Sequence, residues 1–249
     1  MASLDRSRGR DPLDVRVVPR QRDRCDLVIE RSDYGPDAGG PGDIEAEDVA
    51  PWANSSAKRA FDLLVAVPLA VATLPLLGAL LAVSAVVFRA NPLFTQDRLG
   101  RDGVMFRFVK IRSLAPSVPS SIDKYALAEQ PLSRWGRFIR SSHLDELPQL
   151  WLVVSGSMSL VGPRPELPEI AAGFDPDFVA RRTLIRPGVT GLWQTSQAVI
   201  GLIGEAPEYD DLYLTAASAR LDVTVLIRTI RQPFGGGLLT FDEYAQLAA

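Results

Sequence analysis

The chain has 249 residues, 47% of them apolar, with a formal net charge of −3 and a pI near 5.3, enough apolar content to bury a core in one large domain or two small ones. The acidic balance excludes a protein that coats nucleic acid, which needs a basic surplus. One cysteine, Cys25, and one histidine, His143, exclude an intramolecular disulfide, a cysteine-based metal site and a multi-histidine metal centre, so an acid, base or nucleophile is expected to be a carboxylate or a hydroxyl.

Residues 1–57 carry 8 arginines and 12 acidic residues, with glycine and proline clustered from Tyr34 to Asp43. Few large apolar side chains are present to offset the chain entropy, so the segment is expected to be largely disordered, with one short strand at Leu27-Val28-Ile29. No signal-peptide pattern opens the chain, and the N-terminus is expected to stay in the cytoplasm.

From Leu63 to Phe88 run 26 residues without a charge. A straight helix of that length would extend roughly 39 Å, enough to cross a hydrocarbon core. Pro68 and Pro75 lie inside the run, and Lys58, Arg59 and Arg89 flank it on both sides. Pro75 removes a hydrogen bond midway, and positive charge at both ends favours both ends on the cytoplasmic face. A bent, re-entrant helix and a kinked span both stay open on physics alone.

Beyond Phe88, Asn91-Pro92 and Leu99–Gly103 read as turns, and Val104–Ile111 has the β-branched and aromatic content of a strand. Ser113–Ser121 reads as a polar loop. The periodicity predicts helices over Ile122–Glu129, Leu132–Arg140, Glu146–Val154, Asp175–Leu184 and Asp211–Ile230. In the last of these, Leu221, Val225, Leu226 and Ile230 alternate with Arg220, Arg228 and Arg231, a pattern that fits a core stripe or a helix lying on a membrane surface.

The densest chemistry lies in Arg140–Gln149 and Gly156–Pro165. Ser142 followed by Asp145 resembles a capping box, and Pro148 suits a first helical turn, so a helix cap would explain much of the pattern. The same geometry suits phosphate chemistry, because a helix start presents free N–H groups to an anion. Of the adjacent Asp145 and Glu146, one could attack phosphorus while the other binds a divalent cation. Lys110, Arg140 and Arg164 are the candidate phosphate-neutralising cations. Arg134 and Arg137 share a spacing with Arg140 but read as a solvated or headgroup-facing surface. Arg164 is held between two prolines, which suits a placed phosphate clamp.

These residues resemble the monotopic bacterial sugar transferases, the polyprenyl-phosphate glycosyl-1-phosphate transferases. The similarity runs from Lys58 to Ile230 through Lys58–Asp62, Phe94–Gly100, Lys110–Arg112, Leu144–Gln149, Met158–Pro165, Arg186–Gly191, Leu221-Asp222 and Arg228–Ile230. The resemblance implies an α+β, mainly helical fold with a re-entrant membrane helix bent at Pro75, a small β element and amphipathic interfacial helices. It implies a polar segment over 1–57, a membrane helix over 58–90 with Lys58 and Arg59 at its anchoring end, a cytoplasmic catalytic domain over 91–234, and a C-terminal tail over 235–249.

The implied reaction passes a sugar phosphate from a nucleotide sugar, a UDP-sugar by family habit, through Asp145 to polyprenyl phosphate at the bacterial inner membrane. Glu146 would hold Mg²⁺, and Lys110, Arg140 and Arg164 would stabilise charge. Departures from the family pattern are Leu74 before Pro75, where serine is usual, Leu152 and Ser157 in place of asparagine and aspartate, and Ser113 in place of threonine. Those at Leu152 and Ser157 motivate a competing expectation, a non-catalytic scaffold derived from such an enzyme. The uncharged run motivates another, a single-span anchor with an extracytoplasmic domain. The sugar and the oligomeric state, a homo-oligomer included, stay open.

Overall fold

The computed structural model describes residues 17–20, 24–27, 44–118, 130 and 132–248. The fold is α+β and mainly helical, with three two-stranded sheets among the described residues. The predicted helix at Ile122–Glu129, and Val28 and Ile29 of the predicted first strand, lie outside the described residues. Strands β1 (Val17–Arg20) and β2 (Arg24–Leu27) pair antiparallel.

The last part of the segment expected to be disordered is docked instead. Ala50 and Ala53 are buried in the main core, and the Ala50 N–H donates to the Leu214 carbonyl at 2.7 Å. Trp52 adds a hydrogen bond from its Nε1 to Asp222 Oδ2 at 2.9 Å.

Helix α1 (Ser56–Ala72) starts on the Ser55 hydroxyl, which accepts from the Lys58 N–H at 3.0 Å. Helix α2 (Leu74–Phe88) follows after Thr73, and the two are bent by 58°. The break follows from Pro75, which stands in the first turn of α2 and has no N–H to donate to the preceding turn. Thr73 caps the end of α1: its hydroxyl donates to the Leu69 and Ala70 carbonyls at 2.8 and 3.2 Å. Among the described residues no single helix is long and apolar enough to cross a membrane, while the bent pair together has the necessary length and composition.

Both arms of the pair pack on the same domain. Lys58, Asp62, Ala66 and Ala70, spaced by four, form the buried face of α1, and the small alanines let it lie close to the helix Gln149–Ser155. On α2, Leu80 packs with Ile111 and Ile139, and Ser84 Oγ accepts from Trp135 Nε1 at 2.8 Å. The other faces leave Leu64, Val71, Leu76 and Val86 exposed.

A buried ionic network joins α1 to the core. Lys58 Nζ lies 2.8 Å from Asp62 Oδ1 and 2.8 Å from Asp222 Oδ2. Asp62 also accepts from Ser159 Oγ at 2.9 Å and the Leu160 N–H at 3.2 Å, and Asp222 from Tyr213 OH at 2.6 Å. Burial beside Asp222 raises the Tyr213 pKa well above its usual value, keeping this donor protonated. Lys58, expected at the membrane surface, is thus 3% exposed and spent inside the protein. Arg59 turns inward as well, donating to the Val153 and Val154 carbonyls at 2.6 and 3.0 Å. There it satisfies the last carbonyls of the helix Gln149–Ser155, which ends on Gly156 at φ +91°.

Strands β3 (Leu93–Leu99) and β4 (Met105–Ile111) form an antiparallel hairpin; β4 matches the predicted strand, whereas β3 has no predicted counterpart. Strands β5 (Ser159–Val161) and β6 (Gly188–Thr190) pair in parallel. Their crossing needs glycine: a Cβ on Gly188 would stand 2.2 Å from the Gly162 nitrogen, and one on Gly191 would stand 2.3 Å from the Gly162 oxygen.

The single helix predicted over Asp211–Ile230 is two, Glu208–Ala216 and Ala219–Arg231. Ser218 separates them because its hydroxyl caps the second by accepting from the Leu221 N–H at 3.2 Å. Leu221 and Val225 enter the core, but Ile230 is 69% exposed and shares an outward ridge with Val223 and Ile227. The segment 235–249, expected to be a tail, contains a helix, Phe241–Ala248, anchored by the fully buried Tyr244.

Candidate active site

The helix Arg134–Ser141 starts on the Ser133 hydroxyl and brings Arg140 to its last turn. Arg134 and Arg137 are exposed while Arg140 is half-buried. Ser142 does not cap the following turn, contrary to the capping-box expectation. Its hydroxyl donates backwards, to the Phe138 and Ile139 carbonyls at 2.8 and 3.2 Å. The chain then reverses at His143, a non-glycine residue at φ 55°, a conformation that costs roughly 1 kcal/mol. Leu144–Glu146 form a 3₁₀ turn before the helix Gln149–Ser155. The dyad therefore sits on a tight turn and not at the start of a long helix.

Asp145 is 7% exposed, and Glu146 is half-buried. Burial is the main cause that lifts the Asp145 carboxyl from 3.8 to about 6; Glu146 adds to it, while Lys110, Arg140 and His143 oppose it. Lys110 moves the other way, from 10.5 to about 8, again mainly through burial, with Asp145 opposing and Arg98, Arg140 and Arg164 reinforcing the drop. The structure thus brings Asp145, Glu146, Lys110, Arg140 and Arg164 into one electrostatic cluster. Neither carboxylate of the dyad makes an ion pair within 4.0 Å among the described residues.

The hairpin supplies Lys110. Register pairs Phe94 with Lys110, Gln96 with Phe108 and Arg98 with Phe106, so these side chains share one face. Lys110 Nζ lies 5.1 Å from the Phe94 ring centroid, and Arg98 lies 5.1 Å from that of Phe108. Arg98 is a site residue that the sequence reading missed. It is 8% exposed, its pKa is lowered to about 10 by burial and by Arg164, and Glu166, Glu146 and Glu169 oppose the drop. Its Nη1 donates to the Pro165 carbonyl at 2.7 Å. Strand alternation through Phe94-Thr95-Gln96-Asp97-Arg98 places it on the same face of the hairpin as Lys110.

The backbone that presents Arg164 is clamped on both sides. Gly162 donates to Thr190 at 3.0 Å, Gly188 to Pro163 at 2.8 Å and Leu99 to Glu166 at 3.0 Å. Arg182 Nη2 donates to the Arg164 carbonyl at 2.8 Å and reaches Asp210 at 2.9 Å. Asp210, buried beside Arg182, has its pKa pushed up to about 6 by desolvation. The prolines flanking Arg164 are thus part of a wider brace that leaves only the side chain free to reorient.

A cleft of about 360 Å³ is lined by Thr95, Asp97, Met105, Arg107 and Glu169 among others. Thr95, Asp97, Met105 and Arg107 alternate with Phe94, Arg98, Phe108 and Lys110, which puts most of the cleft on the far face of the hairpin from the cation cluster, while Gln96, which also lines it, belongs to the cluster's face. The departures at Leu152 and Ser157 are absorbed locally: Leu152 packs against the core, and Ser157 Oγ lies 3.4 Å from Ser155 Oγ.

Among the described residues no group of three or more His, Cys, Asp or Glu side chains is placed to hold a metal ion. Mg²⁺ does not demand one, since it commonly takes one or two carboxylates plus substrate phosphates. Glu146 has the hard oxygen donors for that role, and its carboxylate has no hydrogen bond or ion pair of its own among the described residues.

Residues 53–236 match the family model described as bacterial sugar transferase. The chain belongs to this family. Relatives include a "UDP-galactose-lipid carrier transferase" of Erwinia amylovora, 37% identical over 195 residues, covering 70% of this chain and 39% of the relative. An Aeromonas hydrophila "UDP-N-acetylgalactosamine-undecaprenyl-phosphate N-acetylgalactosaminephosphotransferase" is 34% identical, covering 70% and 43%. A "UDP-glucose:undecaprenyl-phosphate glucose-1-phosphate transferase" of Xanthomonas campestris is 31% identical, covering 72% and 39%. The chain thus aligns with about two fifths of the length of these relatives. Their names specify three different sugars, so the family does not by itself select one.

Proposed function

We propose that this sugar transferase moves a sugar 1-phosphate from a nucleoside diphosphate sugar, a UDP-sugar as in the names of its relatives, to a polyprenyl phosphate. The observation that carries this reading is the buried, unpaired Asp145 carboxylate beside Lys110 and Arg140, with Arg164 acting in turn on Lys110. Asp145 attacks the β-phosphorus, the bond from that phosphorus to the bridging oxygen breaks, and the electron pair leaves with the nucleoside monophosphate. An oxygen of the polyprenyl phosphate then attacks the same phosphorus and displaces the Asp145 carboxylate. The three cations stabilise charge on the transferred group at both steps. Mg²⁺, held by Glu146, would neutralise diphosphate charge when bound.

The bent α1–α2 pair fits a re-entrant anchor. The domain that holds Asp62 of α1 also holds Ser84 of α2 through Trp135, a return that a straight span would prevent. Its outward apolar faces, with exposed Phe138 and Trp151 on neighbouring helices, suit the bilayer of the inner membrane with the site on the cytoplasmic side.

Incubating the full chain in detergent or nanodiscs with UDP-sugar and Mg²⁺, without acceptor, should release UMP up to one equivalent and leave a phosphosugar adduct at Asp145, read by intact and peptide mass spectrometry. No UMP release with any UDP-sugar, even with polyprenyl phosphate present, would point instead to a non-catalytic scaffold. In turnover, kcat/KM should follow a bell. Asp145 must be ionised to attack, so activity rises as pH passes about 6; Lys110 must be protonated to hold phosphate, so activity falls as pH passes about 8. A pH–rate series that is flat between about 5 and about 9 contradicts this assignment.

A further inference from the structure

Gln149 ends the Leu144–Gln149 motif and has no role in the reaction as described so far. It is 2% exposed, and its Nε2 has no hydrogen-bond partner among the described residues. A buried amide donor without an acceptor is costly, and native structures seldom keep one without a reason.

Its position supplies the reason. Leu144–Glu146 form a 3₁₀ turn, Leu147 and Pro148 keep right-handed helical angles, and the helix Gln149–Ser155 follows. The Leu147 N–H bonds Leu144 and the Leu150 N–H bonds Leu147 at 3.4 and 3.2 Å, so the helical path is continuous. These bonds join residues three apart, the 3₁₀ spacing, so Gln149 stands one step past the turn that begins at Asp145. The turn and the helix both pack on the β4 side, the strand that carries Lys110, and Asp145 and Gln149 are both buried. Burial excludes bulk water as the ready acceptor for Nε2. A phosphoryl group bonded to Asp145 brings oxygens to that side, where the cations already described converge.

We infer that Gln149 is a further catalytic residue, its side-chain N–H donating to a non-bridging oxygen of the phosphosugar while that group is attached to Asp145. The inference rests on the proposed reaction. The hydrogen bond forms with the group in transit and contributes little to the resting protein, so Gln149 acts mainly on kcat and on the stability of the adduct. No bond is made or broken at the amide.

The test is Gln149→Met, close in volume but without the donor, assayed beside the wild type for UMP release, adduct formation and thermal unfolding. The expected result is an unchanged or higher Tm, since an unpaired buried donor is removed, with kcat lower by about 10-fold to 100-fold and KM for the UDP-sugar changed much less. Gln149→Asn, which keeps the amide but shortens its reach, is expected to lower kcat too. A Gln149→Met protein with lower Tm and wild-type kcat would show a structural amide and overturn the inference while leaving the reaction intact. A wild type that releases no UMP and forms no adduct would overturn the reaction and this inference together. If Gln149→Met does not fold, Gln149→Asn carries the test, and wild-type kcat in that variant overturns the proposal.

Discussion

Asp145→Asn is expected to abolish transfer, lowering UMP release by at least about 10⁴-fold, the scale of losing a covalent nucleophile, and to eliminate the phosphosugar adduct. The protein itself should survive the change. Burial holds the Asp145 carboxyl at about 6, against 3.8 for an unperturbed aspartate, so its ionised form destabilises the native state at neutral pH by up to roughly 3 kcal/mol. The sign follows from the direction of the shift. The native state prefers the protonated carboxyl, so the contribution of Asp145 to stability is most favourable below pH 3.8 and is lost as pH rises through about 6. Asparagine carries no charge there. The variant should therefore unfold at a higher temperature than the wild type at pH 7, with the difference shrinking towards pH 4. Inactivity with a raised Tm separates a lost nucleophile from a lost fold. Substantial adduct formation by Asp145→Asn would place the nucleophile elsewhere and end the reading.

The dyad, Lys110, Arg140 and Arg164 could be found because each is a charged residue in a short motif, and the fold brings them within electrostatic reach of one another. Arg98 escaped because its signal is strand alternation across a hairpin. The stretch Phe94–Leu99 holds Thr95, Gln96, Asp97 and Arg98 in a row, a composition that hides a strand until its partner is known. The break at Pro75 was visible from covalent geometry alone, whereas the Thr73 cap on the end of α1 needed the carbonyls of Leu69 and Ala70 in place. Ser142 was misassigned for a related reason. A hydroxyl at a junction between two turns can bond forwards or backwards, and the left-handed His143 decides the matter by turning the next N–H groups away. Lys58 and Arg59 looked like surface charge because charge beside an apolar run usually is. Only long-range contacts, 94 residues away for Arg59 and on the remote helix Ala219–Arg231 for Lys58, show that they face inward.

Those contacts make Lys58 the structural residue with the largest expected effect. Its ammonium is the sole cation within 4.0 Å of Asp62 and Asp222 among the described residues, and the two carboxylates are 2% and 0% exposed. Lys58→Met leaves both buried with no counter-charge. Ser159, Leu160, Trp52 and Tyr213 still donate to them, but neutral donors do not cancel two charges. Breaking a buried ion pair by removing one partner costs roughly 3–5 kcal/mol, a large share of the 5–15 kcal/mol that holds an ordinary domain together. The variant should be recovered mostly as aggregate, or unfold about 10 °C or more below the wild type. Removing the charge from the whole network should reverse much of the loss, because replacing a buried ionic cluster by neutral groups is often close to neutral. Lys58→Met combined with Asp62→Asn and Asp222→Asn is therefore expected to fold better than Lys58→Met alone, measured as monodisperse yield in detergent and as Tm. The rescue is specific to the network: if Lys58 acted instead by anchoring α1 to anionic headgroups, the neutralised triple variant would be no better than the single one.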